Sequence, residues 1–393
     1  MSGREAGAAR RGAAGSSGGG GDGLGQSSGA GARPDRPRLV DDLLRYCDLL
    51  GPSGQEDLVA RAFAEDMRSL GLEPEVDAFA NVTVRLGPAR AGRPTVAVTA
   101  HLDEIGFVVR KVEPNGFLRV HRVGGVHDRV IAGQRLVFLT DEGLVSGVVG
   151  VKAKHLSSQD ELSRSVGVDD AYVDVFAGSR EEALRRGLRV GTLGVFDARA
   201  RVEGGMLCGK ALDDRVGVAL LVELARRLRG ADLPWNTVLL ATAQEEFSVR
   251  GGVSAARRVD ADVILCLDIA IATDTPDSAD GGDVALGAGP VLSRFTRASL
   301  NGVIPHPKLR RFAESVAAER GIAVQDGVLQ GGLTDASFMQ HEGRGAAAID
   351  LSFPTRYTHT PVETTSLADI ARLADWVEAV VQMIDGLPDL RRG

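Results

Sequence analysis

The stretch TVLLATAQEEFSVRGG, residues 237–252, places the pattern of a buried strand directly before two adjacent carboxylates. Residues 237–243 carry no charge, and Glu245 and Glu246 follow at once. An uncharged, largely apolar run of this length predicts a strand in the interior of a sheet. Two neighbouring carboxylates are costly to ionise unless a cation compensates them. Two interpretations are open at this point: both side chains lie in solvent, or the pair binds a cation.

Strand and helix patterns alternate on both sides of this stretch, which predicts an α/β fold with a mixed sheet flanked by helices. We expect residues 95–109 to form one nearly continuous strand interrupted by a polar cluster. Further strands are predicted within residues 236–244, 261–270 and 345–353. Helices are predicted within residues 39–51, 55–71, 213–230, 307–321 and 367–387.

The segment between these two groups of elements has a different character. In residues 113–203, short apolar runs are separated by Gly and Asp turns, which predicts a small all-β domain. We therefore expect an α/β catalytic domain made of residues 37–112 and 204–393, with residues 113–203 inserted. Residues 1–36 are rich in Gly, Ala and Ser and are predicted to be a disordered tail.

Composition excludes several classes of protein. The 393 residues carry a formal net charge of −7, which argues against a nucleic-acid partner. The chain lacks an apolar run of the roughly 18 residues that a membrane span needs. Cys47, Cys208 and Cys266 are far apart and are predicted to be buried thiols in a reducing compartment. We therefore expect a cytoplasmic protein with neither a nucleic-acid nor a membrane partner.

Polar residues follow most of the predicted strands. In an α/β sheet, sites form beyond the carboxyl ends of the strands, so these residues are candidates for one site. Each has a structural alternative: a hydrogen-bonded histidine, a helix cap, or a carboxylate that favours the positive end of a helix dipole. The candidates are His101, Asp103, Asp213, Asp214, Glu245, Glu246, Asp268 and His359.

Two histidines and several carboxylates at separate strand ends favour a metal site over these alternatives. Imidazole combined with carboxylate suits zinc, manganese or cobalt better than magnesium or calcium. A pair of such ions needs about five protein ligands, activates water and stabilises a developing oxyanion. A further carboxylate then serves as general base. The residues alone predict a binuclear metal hydrolase.

Six motifs stand in order along the chain: GPSGQED (51–57), TAHLDEIGF (99–107), GKALDDRVG (209–217), QEEFSVRGG (244–252), LDIAIATDTP (267–276) and FPTRYTHTPVE (353–363). Together they resemble the signatures of the M42 family of metallo-aminopeptidases, the glutamyl-aminopeptidase-like enzymes that include tetrahedral dodecamers. The resemblance runs from about residue 39 to residue 387 and leaves only the tail outside. It implies the binuclear metallopeptidase fold, with residues 113–203 as a PDZ-like dimerisation domain.

The resemblance also implies a role for each candidate residue. One metal is expected on His101, Asp213 and Asp268, and a second on Asp213, Glu246 and His359, so that Asp213 bridges the two. Zinc is the first expectation, with cobalt and manganese as alternatives. Glu245 is the expected general base, and Asp103 is expected to hydrogen-bond His101 and set its tautomer.

The implied function is a metal-dependent aminopeptidase that removes the N-terminal residue of peptides through a hydroxide bridging two dications. Peptides with a free N-terminus are the expected substrates, and a dimer-based homo-oligomer, such as a dodecamer, is the expected assembly. Alternatives are a deacylase or carboxypeptidase of the same fold, an endoglucanase, or a catalytically silent scaffold. An endoglucanase normally needs opposed carboxylates without metal, and a silent scaffold is expected to have lost ligands.

The chain departs from the M42 pattern at three places that concern the substrate pocket. Phe247, Ser248 and Val249 follow the glutamate pair where Val-Gly-Leu is common in the family. Leu333 stands between Gly-Gly and Thr-Asp-Ala, and the stretch after Asp268 is longer and more acidic than expected. None of these differences removes an expected metal ligand.

Overall fold

A computed structural model describes residues 38–391, and the predicted disordered tail lies outside them. Nine α-helices occur in this part of the chain, together with short 3-10 turns. Their bounds are α1 (Arg38–Asp48), α2 (Asp57–Ser69), α3 (Gln159–Ser163), α4 (Arg180–Arg185), α5 (Leu212–Leu228), α6 (Arg250–Val259), α7 (Pro307–Glu319), α8 (Ala336–Met339) and α9 (Leu367–Gln382). Within residues 38–391, no helix combines the length and apolarity needed to cross a membrane.

Eighteen strands occur in the same residues and divide between two sheets. In chain order they are β1 (Pro74–Val76), β2 (Val82–Arg85), β3 (Thr95–His101), β4 (Gly106–Val112), β5 (Leu118–Val123), β6 (Arg135–Thr140), β7 (Gly143–Val149), β8 (Tyr172–Asp174), β9 (Leu193–Phe196), β10 (Arg201–Glu203), β11 (Met206–Gly209), β12 (Asn236–Thr242), β13 (Val263–Ile271), β14 (Val291–Ala298), β15 (Asn301–Val303), β16 (Gln325–Gln330), β17 (Ala347–Arg356) and β18 (Glu363–Ser366).

The large sheet is mixed and has helices on both faces. Its order is β1-β2-β12-β3-β13-β17-β18-β11-β10, with β14, β15 and β16 attached beside β17. The strands β12, β3, β13 and β17 run parallel. Along β13, side chains alternate between the two cores: Leu265 and Leu267 lie in the core that includes α5 and α9, and Ile264 and Cys266 in the core beneath α6 and α8. The predicted α/β architecture is confirmed.

The second sheet is a small closed barrel with strand order β4-β5-β8-β7-β6-β9. Its interior holds a separate apolar cluster that includes Phe107, Leu118, Phe138 and Phe196.

The structure corrects the prediction of one strand over residues 95–109. Residues 102–105, which include Asp103 and Glu104, separate β3, which belongs to the large sheet, from β4, which belongs to the barrel. The barrel therefore includes a strand before residue 113, where the sequence pattern placed the start of the insertion. The prediction of three buried thiols was also wrong in one case, because Cys208 is only partly buried while Cys47 and Cys266 are buried.

Candidate metal centre

The parallel strands deliver the candidate residues to one edge of the large sheet. His101 is the last residue of β3 and pairs with Thr242 at the end of β12. Glu245 and Glu246 follow β12 after a two-residue turn, and Asp268 lies near the carboxyl end of β13. His359 follows β17 in a left-handed conformation, with φ of 60°. The strand register therefore brings residues far apart in sequence to one place.

The five expected ligands form two overlapping groups that share Asp213. His101, Asp213 and Asp268 each offer a ligand atom within 4.8 Å of the others, and so do Asp213, Glu246 and His359. Asp213 Oδ1 lies 2.9 Å from His101 Nε2, and its other oxygen lies 3.4 Å from His359 Nε2. Glu246 Oε1 is 3.1 Å from His359 Nε2.

The ionisation of these groups fits a site built for cations. Burial raises the pKa of Asp268 well above its usual range, and the negative charge of Asp213 raises it further. Burial opposes ionisation of Asp213 as well, but the imidazoles of His101 and His359 hold its pKa below the usual range. Burial lowers the pKa of His359, yet Glu246 and Asp213 outweigh this effect and raise it to about 12.

A metal is consistent with this donor set for an electrostatic reason. The buried carboxylates around His359 favour a positive charge beside them, which is why they raise the pKa of its imidazole. A bound dication would supply that charge in place of the proton. Imidazole and carboxylate donors in two groups that share one carboxylate suit a pair of divalent transition-type ions.

Asp103 contacts the glutamate pair more directly than its expected partner His101. Its carboxylate accepts hydrogen bonds from the backbone N–H groups of Glu245 (2.9 Å) and Glu246 (3.0 Å) and from the hydroxyl of Ser53 (2.5 Å). Asp103 Oδ1 is 3.4 Å from His101 Nδ1, and this nitrogen has no aligned hydrogen-bond partner in the described residues. Asp103 therefore holds the turn that carries both glutamates.

Glu363 is a buried residue of the site that the sequence analysis did not single out. Its two oxygens accept hydrogen bonds from the backbone N–H groups of Asp213 (3.1 Å) and His359 (2.7 Å). Burial raises its pKa to about 8, and the charge of Asp213 contributes. The only sequence signal was its position inside the motif FPTRYTHTPVE.

Asp214 also supports the site without belonging to either ligand group. Its carboxylate accepts a hydrogen bond from the backbone N–H of His101 (3.1 Å) and another from Gly217 (3.1 Å). It is fully buried, and this burial raises its pKa well above the usual range. Asp214 thus links the start of α5 to the end of β3.

The barrel touches the centre through a pair of glycines that the sequence analysis also missed. The carbonyl oxygen of Gly125 lies 3.2 Å from His359 Nδ1. A Cβ on Gly125 would lie only 2.4 Å from that nitrogen, and one on Gly124 would lie 3.0 Å from Glu246 Oε2. Larger residues at either position would collide with the ligand side chains.

Comparison with known proteins assigns the family. The model of the M42 glutamyl aminopeptidase family matches residues 80–375. The lysyl aminopeptidase of Pyrococcus furiosus is 33% identical over 338 residues, 84% of this chain and 93% of that protein.

Solved structures of aminopeptidases agree with this assignment. An aminopeptidase from Desulfurococcus kamchatkensis superposes with a TM-score of 0.82 at 33% identity, over 89% of this chain and 98% of that one. The TET1 peptidase of Pyrococcus horikoshii superposes with a TM-score of 0.79 at 30% identity, over 87% of this chain and 99% of that one. The chain therefore belongs to the M42 family and is a metal-dependent aminopeptidase.

Proposed function

We propose that two divalent ions occupy the centre, with zinc as the first candidate and cobalt or manganese as alternatives. His101, Asp213 and Asp268 would hold one ion, and Asp213, Glu246 and His359 the other. The observation that carries this proposal is the pair of donor groups sharing Asp213. Ions bound there would lower the pKa of a water molecule and polarise the scissile carbonyl.

Glu245 is the proposed general base. Its side chain lines the cavity at the centre, and no hydrogen bond within residues 38–391 engages its carboxylate. Burial raises its pKa well above the usual range, and the charge of Glu246 contributes. A carboxylate of raised pKa accepts a proton from the attacking water and returns it to the leaving amine. Asp103 would position this group through the backbone of Glu245.

The proposed substrates are peptides with a free N-terminus. Acidic side chains dominate the charged groups around the cavity, including Glu245, Glu246 and Asp268. A protonated or metal-bound amine fits such surroundings, whereas a blocked terminus lacks the atom that they recognise. This requirement would restrict cleavage to the first residue of the chain.

The proposed assembly is a dimer-based homo-oligomer, with the barrel as the PDZ-like dimerisation domain. The predicted division into residues 37–112 with 204–393 and residues 113–203 is kept in this proposal with shifted limits, because β4 (Gly106–Val112) belongs to the barrel and β10 (Arg201–Glu203) to the large sheet. Exposed apolar side chains on the barrel segment, such as Leu156 and Phe176, support it. The related TET1 peptidase of Pyrococcus horikoshii assembles into a tetrahedron or a large octahedral shell, and a dodecamer is the corresponding proposal here.

Metal depletion tests the proposed reaction. Exhaustive chelation should abolish hydrolysis of an aminoacyl-p-nitroanilide, and added zinc, cobalt or manganese should restore it. Magnesium is the control and should not restore activity. Turnover in a verified metal-free sample would contradict the mechanism. Blocked peptides tested in parallel separate the alternatives. A deacylase acts on N-acetylated peptides, which an aminopeptidase leaves intact. An aminopeptidase cleaves C-terminally blocked peptides, which a carboxypeptidase leaves intact.

A further inference from the structure

A cavity of about 440 Å³ opens beside the metal centre. One end is formed by the residues of the centre, including Glu245 and Asp268. Most of the remaining wall comes from the loop before α6, the ends of β13 and β14, and the end of β16 with the segment that follows it. Most of that wall is apolar, through Val249, Ile269, Ile271, Ala298, Leu329 and Leu333.

Among the residues that the structure describes, those that line the wall away from the centre carry no charge. The ionisable residues that line the cavity are Asp213, Glu245, Glu246, Asp268 and His359, all of which belong to the centre. The other polar side chains among its lining residues are uncharged: Ser248, Gln330 and Thr358. A charged group that leaves water for such a wall has no partner to replace its hydration, which is costly.

One leucine of this wall packs directly over a glycine. A Cβ on Gly332 would lie 2.7 Å from the side chain of Leu329, so this leucine covers the glycine directly. Leu333 follows in the same segment, and both leucines are partly buried. Leu333 is also the residue at which the chain departs from the family pattern. The departure therefore adds an apolar side chain to the cavity.

We propose that this cavity receives the side chain of the substrate's N-terminal residue and selects medium to large apolar residues, such as leucine, methionine and phenylalanine. Leu329, Leu333 and Ile271 are the specificity-determining residues. The inference rests on the aminopeptidase reaction proposed above. An enzyme that selects N-terminal glutamate or lysine needs an opposite charge in its pocket, and the described wall offers none.

Kinetics on matched substrates test the selectivity. The metal-loaded enzyme is assayed with the p-nitroanilides of leucine, methionine, phenylalanine, glutamate and lysine. We expect kcat/KM for each apolar substrate to exceed that for glutamate and lysine by at least about tenfold, since apolar contacts alone give differences of this size. A preference for glutamate or lysine would overturn the inference and leave the reaction itself intact.

Two pairs of substitutions test whether residues of the wall determine the selectivity. Leu333→Glu introduces a counter-charge for lysine, and Leu333→Gln is the uncharged control of similar size. The ratio of kcat/KM for lysine over leucine should rise at least about tenfold in Leu333→Glu relative to Leu333→Gln. Ile271→Glu, compared with Ile271→Gln, repeats the test at a position that is 45% exposed, so that an added carboxylate keeps part of its hydration. Unchanged ratios in both pairs would refute the assignment.

Binding measurements test the selectivity of the cavity independently of whether the enzyme cleaves peptides. The hydroxamates of leucine, glutamate and lysine are titrated into the metal-loaded wild-type protein by calorimetry. If no anilide is cleaved but the leucine hydroxamate binds at least about tenfold more tightly than the others, the reaction fails and the pocket inference holds. If the three bind equally, the pocket inference fails whatever the turnover.

Discussion

Glu245 and Glu246 illustrate how neighbouring side chains take separate environments. Asp103 accepts hydrogen bonds from the backbone N–H groups of both residues, which fixes the turn. Glu246 points to His359, at 3.1 Å, whereas the carboxylate of Glu245 faces the cavity. The His359 imidazole thus lies against Glu246, while burial raises the pKa of Glu245.

Substitution should separate the two glutamates. Glu245→Gln preserves shape but cannot accept a proton, so turnover should fall about 10²–10⁴-fold while metal content stays at the wild-type level. Glu246→Gln removes a charged ligand, so the protein should lose metal, and excess metal should restore part of the activity. Metal analysis and steady-state kinetics on the two purified proteins provide the measurement.

The surface residue Glu203 provides the control for these exchanges, and Glu203→Gln should behave as wild type. If Glu245→Gln loses metal while Glu246→Gln retains it, the two roles are reversed. Wild-type activity and metal content in both variants would instead support the structural interpretation of the pair.

At the scale of elements, α6 packs unusually close to the end of β12. Gly251 donates a backbone hydrogen bond to the carbonyl of Ala243 (3.0 Å). Asn81, which is buried, bridges the same two segments through the N–H of Ala243 and the carbonyl of Gly251. Glycine at position 251 permits this approach, so the helix fixes the turn that carries Glu245 and Glu246.

Gly251→Ala should therefore disturb both stability and the metal centre. Its Cβ would lie 2.1 Å from the carbonyl oxygen of Ala243, and because that atom belongs to the backbone, α6 has to move. We expect a loss of about 1–3 kcal/mol in the free energy of unfolding, with weaker metal binding. Urea denaturation and metal titration measure the two effects.

Ser254→Ala is the matched control, because it adds no volume in the same helix. Its free energy of unfolding should stay within about 0.5 kcal/mol of wild type. Equal stability of Gly251→Ala and Ser254→Ala would show that the close approach of α6 and β12 is not required.

At the scale of the whole molecule, the large sheet and the barrel meet at the metal centre. Strands of the sheet, the loops that follow them and the start of α5 supply the expected ligands, and the barrel contributes the Gly125 carbonyl beside His359. The segment between β7 and β8 also exposes large apolar side chains, including Val151 and Leu156. Large apolar side chains exposed on a folded domain are typical of an interaction surface.

Light scattering tests self-association through this segment. At micromolar concentration, the wild-type mass should be at least twice the 41.2 kDa of one chain. The double variant Val151→Glu, Leu156→Glu should have a lower mass, because burying two added carboxylates at an interface is costly. Leu300→Glu, which changes an exposed leucine outside the barrel, should remain at least dimeric. A monomeric wild-type protein with full activity would contradict the proposal.

The sequence by itself determined the elements whose pattern is local. The strand predicted within residues 236–244 matches β12 (Asn236–Thr242) to within two residues, and the strand predicted within residues 261–270 matches β13 (Val263–Ile271) equally closely. Strands β14, β15 and β16 were missed, because their residues are partly polar and two of them lie at the edge of the attached group. Such strands gain their stability from neighbours in the sheet, which a local pattern does not reveal.

The metal centre likewise combines features visible in the local sequence with features that depend on contacts between distant segments. The residue types at strand ends, such as His101 and Asp268, were visible in the sequence because polar residues interrupt apolar runs. The contacts of Glu363, the glycines of the barrel and the placement of Leu333 in the cavity wall were decided only by the tertiary structure. These contacts join segments up to 234 residues apart, and their geometry depends on strand register and on how the barrel packs against the sheet. Local sequence patterns specify which side chains are available, and long-range packing determines which of them meet.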